Sequence, residues 1–153
     1  MERPAPIRIE VLARRPELAE MVAHWHWKEW GHLTPTLSLD ARVAGVRDQA
    51  ASMFVALEDG EAVGTAGFVE RDMDTHPELG PWIAGVYVHP DSRRRGIAAA
   101  LTRHVAAVAA TGGAEKLYLF TDAAQSYWER LGWYRIADEQ YLGEVVSIMG
   151  FDL

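Results

Sequence analysis

Arg93-Arg94-Arg95-Gly96 is a dense spot of positive charge on a chain whose formal net charge is −7. It stands directly before the alanine-rich run I-A-A-A-L-T-R-H-V-A-A-V-A-A. Alanine is the best helix former, so the run reads as a helix beginning at Gly96. A helix whose first turn carries small residues offers unpaired backbone N–H groups and the positive end of its dipole to an anion. Ahead of the arginines, W-I-A-G-V-Y-V is β-branched and aromatic, which suits a strand over residues 82–88. Pro90 cannot donate a ladder hydrogen bond, so the strand ends near His89, and Asp91 or Ser92 opens the turn. Strand, polar turn and helix start together make a corner suited to a polyphosphate.

A second set of chemistry-bearing residues is acidic. Residues 71–81 read as a polar loop holding Asp72, Asp74, His76 and Glu78. Asp72 and Asp74 in such a loop attract a cationic substrate. A third set lies on the first helix, residues 17–30. Leu18, Met21, Val22 and Trp25 keep helical spacing, with Trp25 expected in the core. Ala23, Trp27 and Trp30 form a second stripe, from which Trp27 and Trp30 can wall a substrate pocket by stacking or cation–π contact. His24, His26 and His32 invite a metal reading, but His24 and His26 are two apart and face different sides of the helix. Without a third ligand no metal site is expected. The chain has no cysteine, which excludes disulfides, thiolate metal sites and a cysteine nucleophile.

The elements that carry these groups follow in a clear order. Residues 7–11 alternate apolar and polar as a first strand. Pro16 suits the first turn of the helix that follows, and Gly31 its end. Residues 32–37 form a loop. Ser38 caps a second helix, residues 39–50, with Leu39, Val43 and Val46 on one side. Residues 53–57 and 62–69 are strands joined by a hairpin around Asp59-Gly60, the second kept slim by Gly64 and Gly67. After the strand, turn and long helix described above, Gly112-Gly113 ends that helix. Residues 116–121 are a buried strand, and 123–131 a helix stopped by Gly132. Residues 133–137 and 144–151 complete the sheet around a turn near residues 141–143. The order β-α-α-β-β-β-α-β-α-β-β implies an α+β fold, a mixed and mostly antiparallel sheet flanked by helices. With 153 residues, 49% hydrophobic and 24% charged, the chain fits one soluble domain spanning 1–153.

Arg93-x-x-Gly96-x-Ala98, with Val86-Tyr87-Val88-His89-Pro90 before it, resembles the phosphate-binding motif of the GNAT superfamily of acyl-CoA N-acyltransferases, and the element order resembles that family's fold along nearly the whole chain. The resemblance implies binding of acetyl-CoA as co-substrate and transfer of its acetyl group to an amine by direct attack in a ternary complex. It implies that Arg93, Arg94, Arg95, Gly96, Ile97 and Ala98 hold the pyrophosphate. Arg94 stands where the family often has glycine; if the backbone there needs φ > 0, it is strained. The backbone of Val86 and Val88 would pair with the pantetheine arm in the manner of an added strand, with Gly85 as a bulge that exposes it. Thr121 stands near the cofactor arm where the family often has asparagine. The run Tyr127-Trp128-Glu129-Arg130-Leu131-Gly132-Trp133 resembles the family's late segment. There a tyrosine four before the glycine protonates the leaving thiolate; here that position is Trp128, and Tyr127 beside it is the candidate acid. The family's usual glutamate is missing from the strand W-I-A-G-V-Y-V, so a base must come from Glu29, His32, Glu70, Asp72 or Asp74, and Glu29 is taken as the candidate.

The negative net charge argues against nucleic-acid binding. The N-terminus lacks an apolar signal core, and no stretch approaches the roughly 20 apolar residues of a membrane span. A cytoplasmic protein acting on a small-molecule or peptide amine is expected, with dimerisation through the last strands implied by analogy with the family. The rival reading is an acyl-CoA-binding or sensing module with weak catalysis.

Overall fold

The structure is a computed structural model that describes residues 6–153. The reading of the N-terminus as leaderless therefore falls, for residues 1–5, outside the described residues. Among the described residues seven strands and four α-helices follow one another in the expected order: β1 (Arg8–Val11), α1 (Ala19–Trp30), α2 (Leu39–Asp48), β2 (Met53–Glu58), β3 (Glu61–Val69), β4 (Trp82–Val88), α3 (Ile97–Thr111), β5 (Lys116–Thr121), α4 (Gln125–Arg130), β6 (Tyr134–Tyr141) and β7 (Glu144–Asp152). The strands lie in the order β1-β2-β3-β4-β5-β7-β6. The β4–β5 pair is parallel, and β1–β2, β2–β3, β5–β7 and β6–β7 are antiparallel. The mixed α+β sheet read from the sequence is the one observed. No helix among the described residues is long and apolar enough to cross a membrane.

The chain divides into two compact units. One holds the residues up to Gly67 and Gly85–His104; the other holds Phe68–Ala84 and Val105–Leu153. In the first, Leu12, Ala19, Val22, Ala23, Val46, Met53, Val55 and Leu57 form the core, and Trp25 packs against it half-buried. The smaller side chains of α1 thus go deepest, and Trp25 covers their edge beside Tyr87 at 5.3 Å. Ser38 caps α2 as expected, its Oγ accepting from the Ala41 N–H at 3.1 Å. Asp59 and Gly60, at φ 50 and 80, make the β2–β3 hairpin turn. Gly64 is required by close approach, because a Cβ there would lie 2.9 Å from the Tyr87 carbonyl oxygen.

In the second unit, Met73, Trp82, Val146 and Ile148 form the core, joined by Leu79, Tyr118, Phe120 and Tyr141. The polar loop after β3 is therefore not all solvated: Met73 is fully buried, and its backbone turns through His76 N–H to Met73 O at 3.1 Å. Several boundaries differ from the sequence reading, α2 ending at Asp48 and α4 spanning Gln125–Arg130 among them. Residues 16–18 form a 3-10 turn before α1. Gly31 keeps a right-handed backbone and leads into a further 3-10 turn rather than ending the helix in the left-handed region. Strand β6 runs on to Tyr141, four residues past the expected end, because its polar tail Asp138-Glu139-Gln140 pairs with β7 residues Ser147, Val146 and Val145.

Candidate functional site

The corner between β4 and α3 is built from the first unit. Arg94 has φ 65 and Gly96 has φ 77, so two left-handed residues fold the loop before the helix. The helix opens with the bond from Ala100 N–H to Gly96 O at 3.0 Å, and the amides of Ile97, Ala98 and Ala99 precede it. Gly96 leaves its side-chain direction open, with nothing within 4 Å of an added Cβ. Ile97 is buried and anchors the helix start, Ala98 is half-buried, and residues 93–96 are exposed. The backbone offers what an anion site requires: free donors, a helix dipole and no blocking side chain.

Two of the three arginines have work inside the protein. Arg93 Nε donates to the Val88 carbonyl at 2.8 Å, and its guanidinium lies 5.7 Å from the Tyr87 ring centre. Arg95 pairs with Glu58 at the end of β2; its Nη1 reaches Oε1 at 3.2 Å, with a second, shorter contact from Nη2 to Oε2. That hydrogen bond, then the partner's charge, lowers the Glu58 pKa and raises that of Arg95. Arg94 is exposed at the left-handed turn.

Strand β4 bends where the sequence has Gly85, at φ 62. Its carbonyl accepts the Thr65 hydroxyl at 2.9 Å, and Thr65 Oγ1 lies 3.1 Å from His26 Nε2. The His26 ring stacks edge-on to Trp30 at 5.2 Å. Burial pushes the His26 pKa down to about 4, against a smaller raising effect of its hydrogen bond to the Gly85 backbone, so the imidazole is neutral at pH 7. Val86 is half-buried and Val88 buried on the same strand. The expected wall of Trp27 and Trp30 is thereby divided: Trp30 is committed to His26, while Trp27 is 45% exposed, edge-on to His24 and folded over Gly31. Glu29 is exposed on the last turn of α1. Arg42 on α2 pins the connection after α1, its Nη2 donating to the Thr34 carbonyl at 2.8 Å and hydroxyl at 2.6 Å.

The remaining candidates lie in the second unit. Asp72 is half-buried and Asp74 exposed. Burial raises the Asp72 pKa to about 6. Burial, first, and the charges of Asp74 and Asp72 also raise the pKa of Tyr141, so these three groups are neighbours. His76 bridges Glu78, at 2.8 Å from Nδ1, and Glu139 on β6, through Nε2. Thr121 Oγ1 accepts from the Ala124 N–H at 3.2 Å and so shapes the turn into α4. Tyr127 is half-buried on α4, its ring 5.2 Å from Trp128, and burial raises its pKa so that the phenol keeps its proton. Trp128 is buried against Trp133, 5.7 Å away. Gln125 donates to Ser147 Oγ at 3.2 Å, and Ser147 donates to Asp138 at 2.6 Å, which holds α4 on the β6–β7 hairpin. Among the described residues no group of three or more His, Cys, Asp or Glu is arranged to hold a metal ion.

Local patterning did not reveal the His26–Thr65–Gly85 chain, whose members lie 39 and 20 residues apart. The one local signal was a glycine inside a strand, which marks a bulge or a close approach.

Comparison with known proteins adds a family and a set of folds. The model described as "Acetyltransferase (GNAT) family" matches residues 19–133. No curated protein sequence matches the chain. Among solved structures, an acetyltransferase of the GNAT family from Streptococcus pneumoniae is similar over 97% of this chain and 99% of its own, at 16% identity and a TM-score of 0.68. An aminoglycoside 6'-N-acetyltransferase complexed with coenzyme A is similar over 95% of this chain and 96% of its own, at 15% identity and a TM-score of 0.74. A protein from Mycobacterium tuberculosis in complex with CoA is similar over 95% of this chain and 99% of its own, at 15% identity and a TM-score of 0.73.

Proposed function

The chain belongs to the acetyltransferase (GNAT) family of acyltransferases, and from that premise we propose that it moves an acetyl group from acetyl-CoA to a primary amine of a small molecule or peptide. The observation that carries this reading is the corner before α3, where two left-handed residues precede a helix start with free amides. The CoA bound to two of the similar structures supports the choice of anion. In this reading the amides at the start of α3, with Gly96, Ile97 and Ala98, take the pyrophosphate, and Arg94 adds charge from outside. Arg93 and Arg95 support the loop from within, through Val88 and Glu58. The backbone of Val86 and Val88 guides the pantetheine arm, and Thr121 belongs to the same donor-binding set. A family match that takes in parts of both units supports treating 1–153 as one acyltransferase domain.

In the reaction the amine nitrogen attacks the thioester carbon, the C–N bond forms, the C–S bond breaks and CoA leaves as thiolate. Backbone amides stabilise the oxyanion of the intermediate. The attacking amine must be neutral, and for an alkyl amine at pH 7.4 that costs about 4 kcal/mol. His26 is a poor base for this step, since its pKa is about 4. Glu29 remains the candidate base, acting through water from an exposed position. Tyr127, which keeps its proton, is the candidate acid for the thiolate. Asp72 and Asp74 recruit the cationic form of the acceptor, and Trp27 on α1 is a separate exposed aromatic candidate for acceptor contact.

The test is titration of the purified protein with acetyl-CoA, followed by thiol release with a panel of amines. Saturable binding and amine-dependent thiol release are expected. Binding without turnover on any amine would leave an acyl-CoA-binding module, and absence of binding would overturn the donor assignment.

A further inference from the structure

We propose that His26 is a positioning residue: acting through Thr65, it holds the Gly85 carbonyl in the left-handed bend of β4 and so sets how the following strand amides face the acyl donor. The inference rests on the donor reading above and goes beyond it, since neither His26 nor Thr65 belongs to the motif.

The direction of the hydrogen bonds is fixed by simple counting. The Gly85 carbonyl can only accept. Thr65 Oγ1 lies 2.9 Å from it and must donate its one proton there. That leaves Thr65 Oγ1 to accept from His26, whose Nε2, 3.1 Å away, therefore carries the hydrogen. The chain runs His26 Nε2–H to Thr65, and Thr65 O–H to Gly85, with the same imidazole N–H also interacting weakly with the Gly85 backbone. The imidazole also occupies the space that glycine leaves. A Cβ at residue 85 would lie 3.0 Å from His26 Cε1, and φ 62 is itself a backbone state that favours glycine. Trp30 backs the ring at 5.2 Å and limits its rotation.

Packing alone does not require this pair. Thr65 is 1% exposed on β3, opposite Val55, where valine has the same shape and no hydroxyl to desolvate. The hydroxyl's one geometric consequence is the orientation of the Gly85 peptide, one residue before Val86. A bent strand presents the amides that follow it in a new direction. Fixing that bend before the donor arrives removes an ordering cost from binding.

Four variants, Thr65→Val, Thr65→Ser, His26→Phe and His26→Gln, test this with two ligands. Acetyl-CoA has the pantetheine arm, and 3′-phosphoadenosine 5′-diphosphate has only the nucleotide half. Loss of one buried hydrogen bond is expected to weaken acetyl-CoA binding by about tenfold in Thr65→Val and His26→Phe, with nucleotide affinity unchanged within about twofold. Thr65→Ser keeps the hydroxyl and His26→Gln keeps a donor at the Nε2 position, so both should recover most of the affinity. The double variant His26→Phe/Thr65→Val should be no worse than either alone, because one chain is cut in each case. In the unmodified protein, ring 15N shifts should show His26 protonated at Nε2 and bare at Nδ1. Wild-type acetyl-CoA affinity in Thr65→Val, equal loss of both ligands, or a proton on Nδ1 would each overturn the positioning role. A wild-type protein that binds neither ligand would instead remove the donor reading, and this inference with it.

Discussion

Arg94 and His26 are the two residues whose physical state is most informative. Arg94 holds φ 65, where the Cβ of an ordinary residue is crowded. Such a conformation costs roughly 1–2 kcal/mol and glycine escapes it. Arg94→Gly is therefore expected to raise the thermal midpoint by about 2–8 °C, with acetyl-CoA affinity reduced at most severalfold if backbone amides dominate phosphate binding. A lower midpoint would show that the side chain has contacts worth more than the strain. His26 has its pKa lowered to about 4 by burial. A depressed imidazole contributes stability that is present above its ordinary value near 6.5 and lost as pH falls toward 4. The loss linked to this one group amounts to about 3 kcal/mol. His26→Gln should lose less stability than the wild-type protein between pH 6.5 and 4 in denaturant titrations. The same lowered pKa makes it a poor proton acceptor, since taking a proton from an alkylammonium would be uphill by about 9 kcal/mol.

At the scale of elements, the β4–turn–α3 unit was legible because its signals are local: a β-branched run, a proline, then arginines, glycine and alanines within twenty residues. Gly96 illustrates how much that unit tolerates. A Cβ there meets nothing within 4 Å, although φ 77 disfavours one. Gly96→Glu should thus fold, with its midpoint lowered by a few degrees, while its carboxylate at the helix start weakens acetyl-CoA binding by about a hundredfold or more. Gly96→Ala, with the strain but no charge, should keep most of the affinity. What the sequence hid depends on long-range pairing. Arg93 and Arg95 look like two free cations until β4 and Glu58 are placed beside them. Thr65 looks like an ordinary strand residue, and the polar tail of β6 looks like a loop until β7 pairs with it. The loop after β3 is similar: its acids were legible, but the tether through His76 was not. Hydrogen bonds to Glu78 and then Glu139 raise the His76 pKa. A raised imidazole contributes its full stabilisation below the ordinary value near 6.5 and loses it as pH rises through the raised value. Amide protection of residues 72–79, corrected for intrinsic exchange, should therefore fall from pH 6 to pH 9. His76→Gln should show low protection at both pH values; a pH-dependent fall of the same size in that variant would assign the change to another group.

At the scale of the whole molecule, a net charge of −7 acts on both substrates with opposite sign. The donor is a polyanion, so the distant field opposes it, and only the corner before α3 attracts it locally. Arg95 is already paired with Glu58, and Arg93 is turned onto Val88 and Tyr87. If backbone amides and a single outward arginine hold the phosphates, the attractive contribution is short-ranged and resists screening, while the repulsive field is long-ranged. Raising ionic strength from about 10 mM to 100 mM shortens the Debye length from about 30 Å to 10 Å. It should then leave acetyl-CoA affinity unchanged or slightly higher. A cationic acceptor sees the reverse: Asp72 and Asp74 and the overall field draw it in, and the same change in salt should raise its KM severalfold, with little effect on kcat. Asp72 supplies a pH signature for the same attraction, because its carboxylate, with a pKa near 6, is lost as pH falls from 7 to 5. A tenfold loss of donor affinity with salt would show that arginine side chains rather than amides carry the phosphates. An acceptor KM indifferent to salt would remove the acidic loop from acceptor recognition.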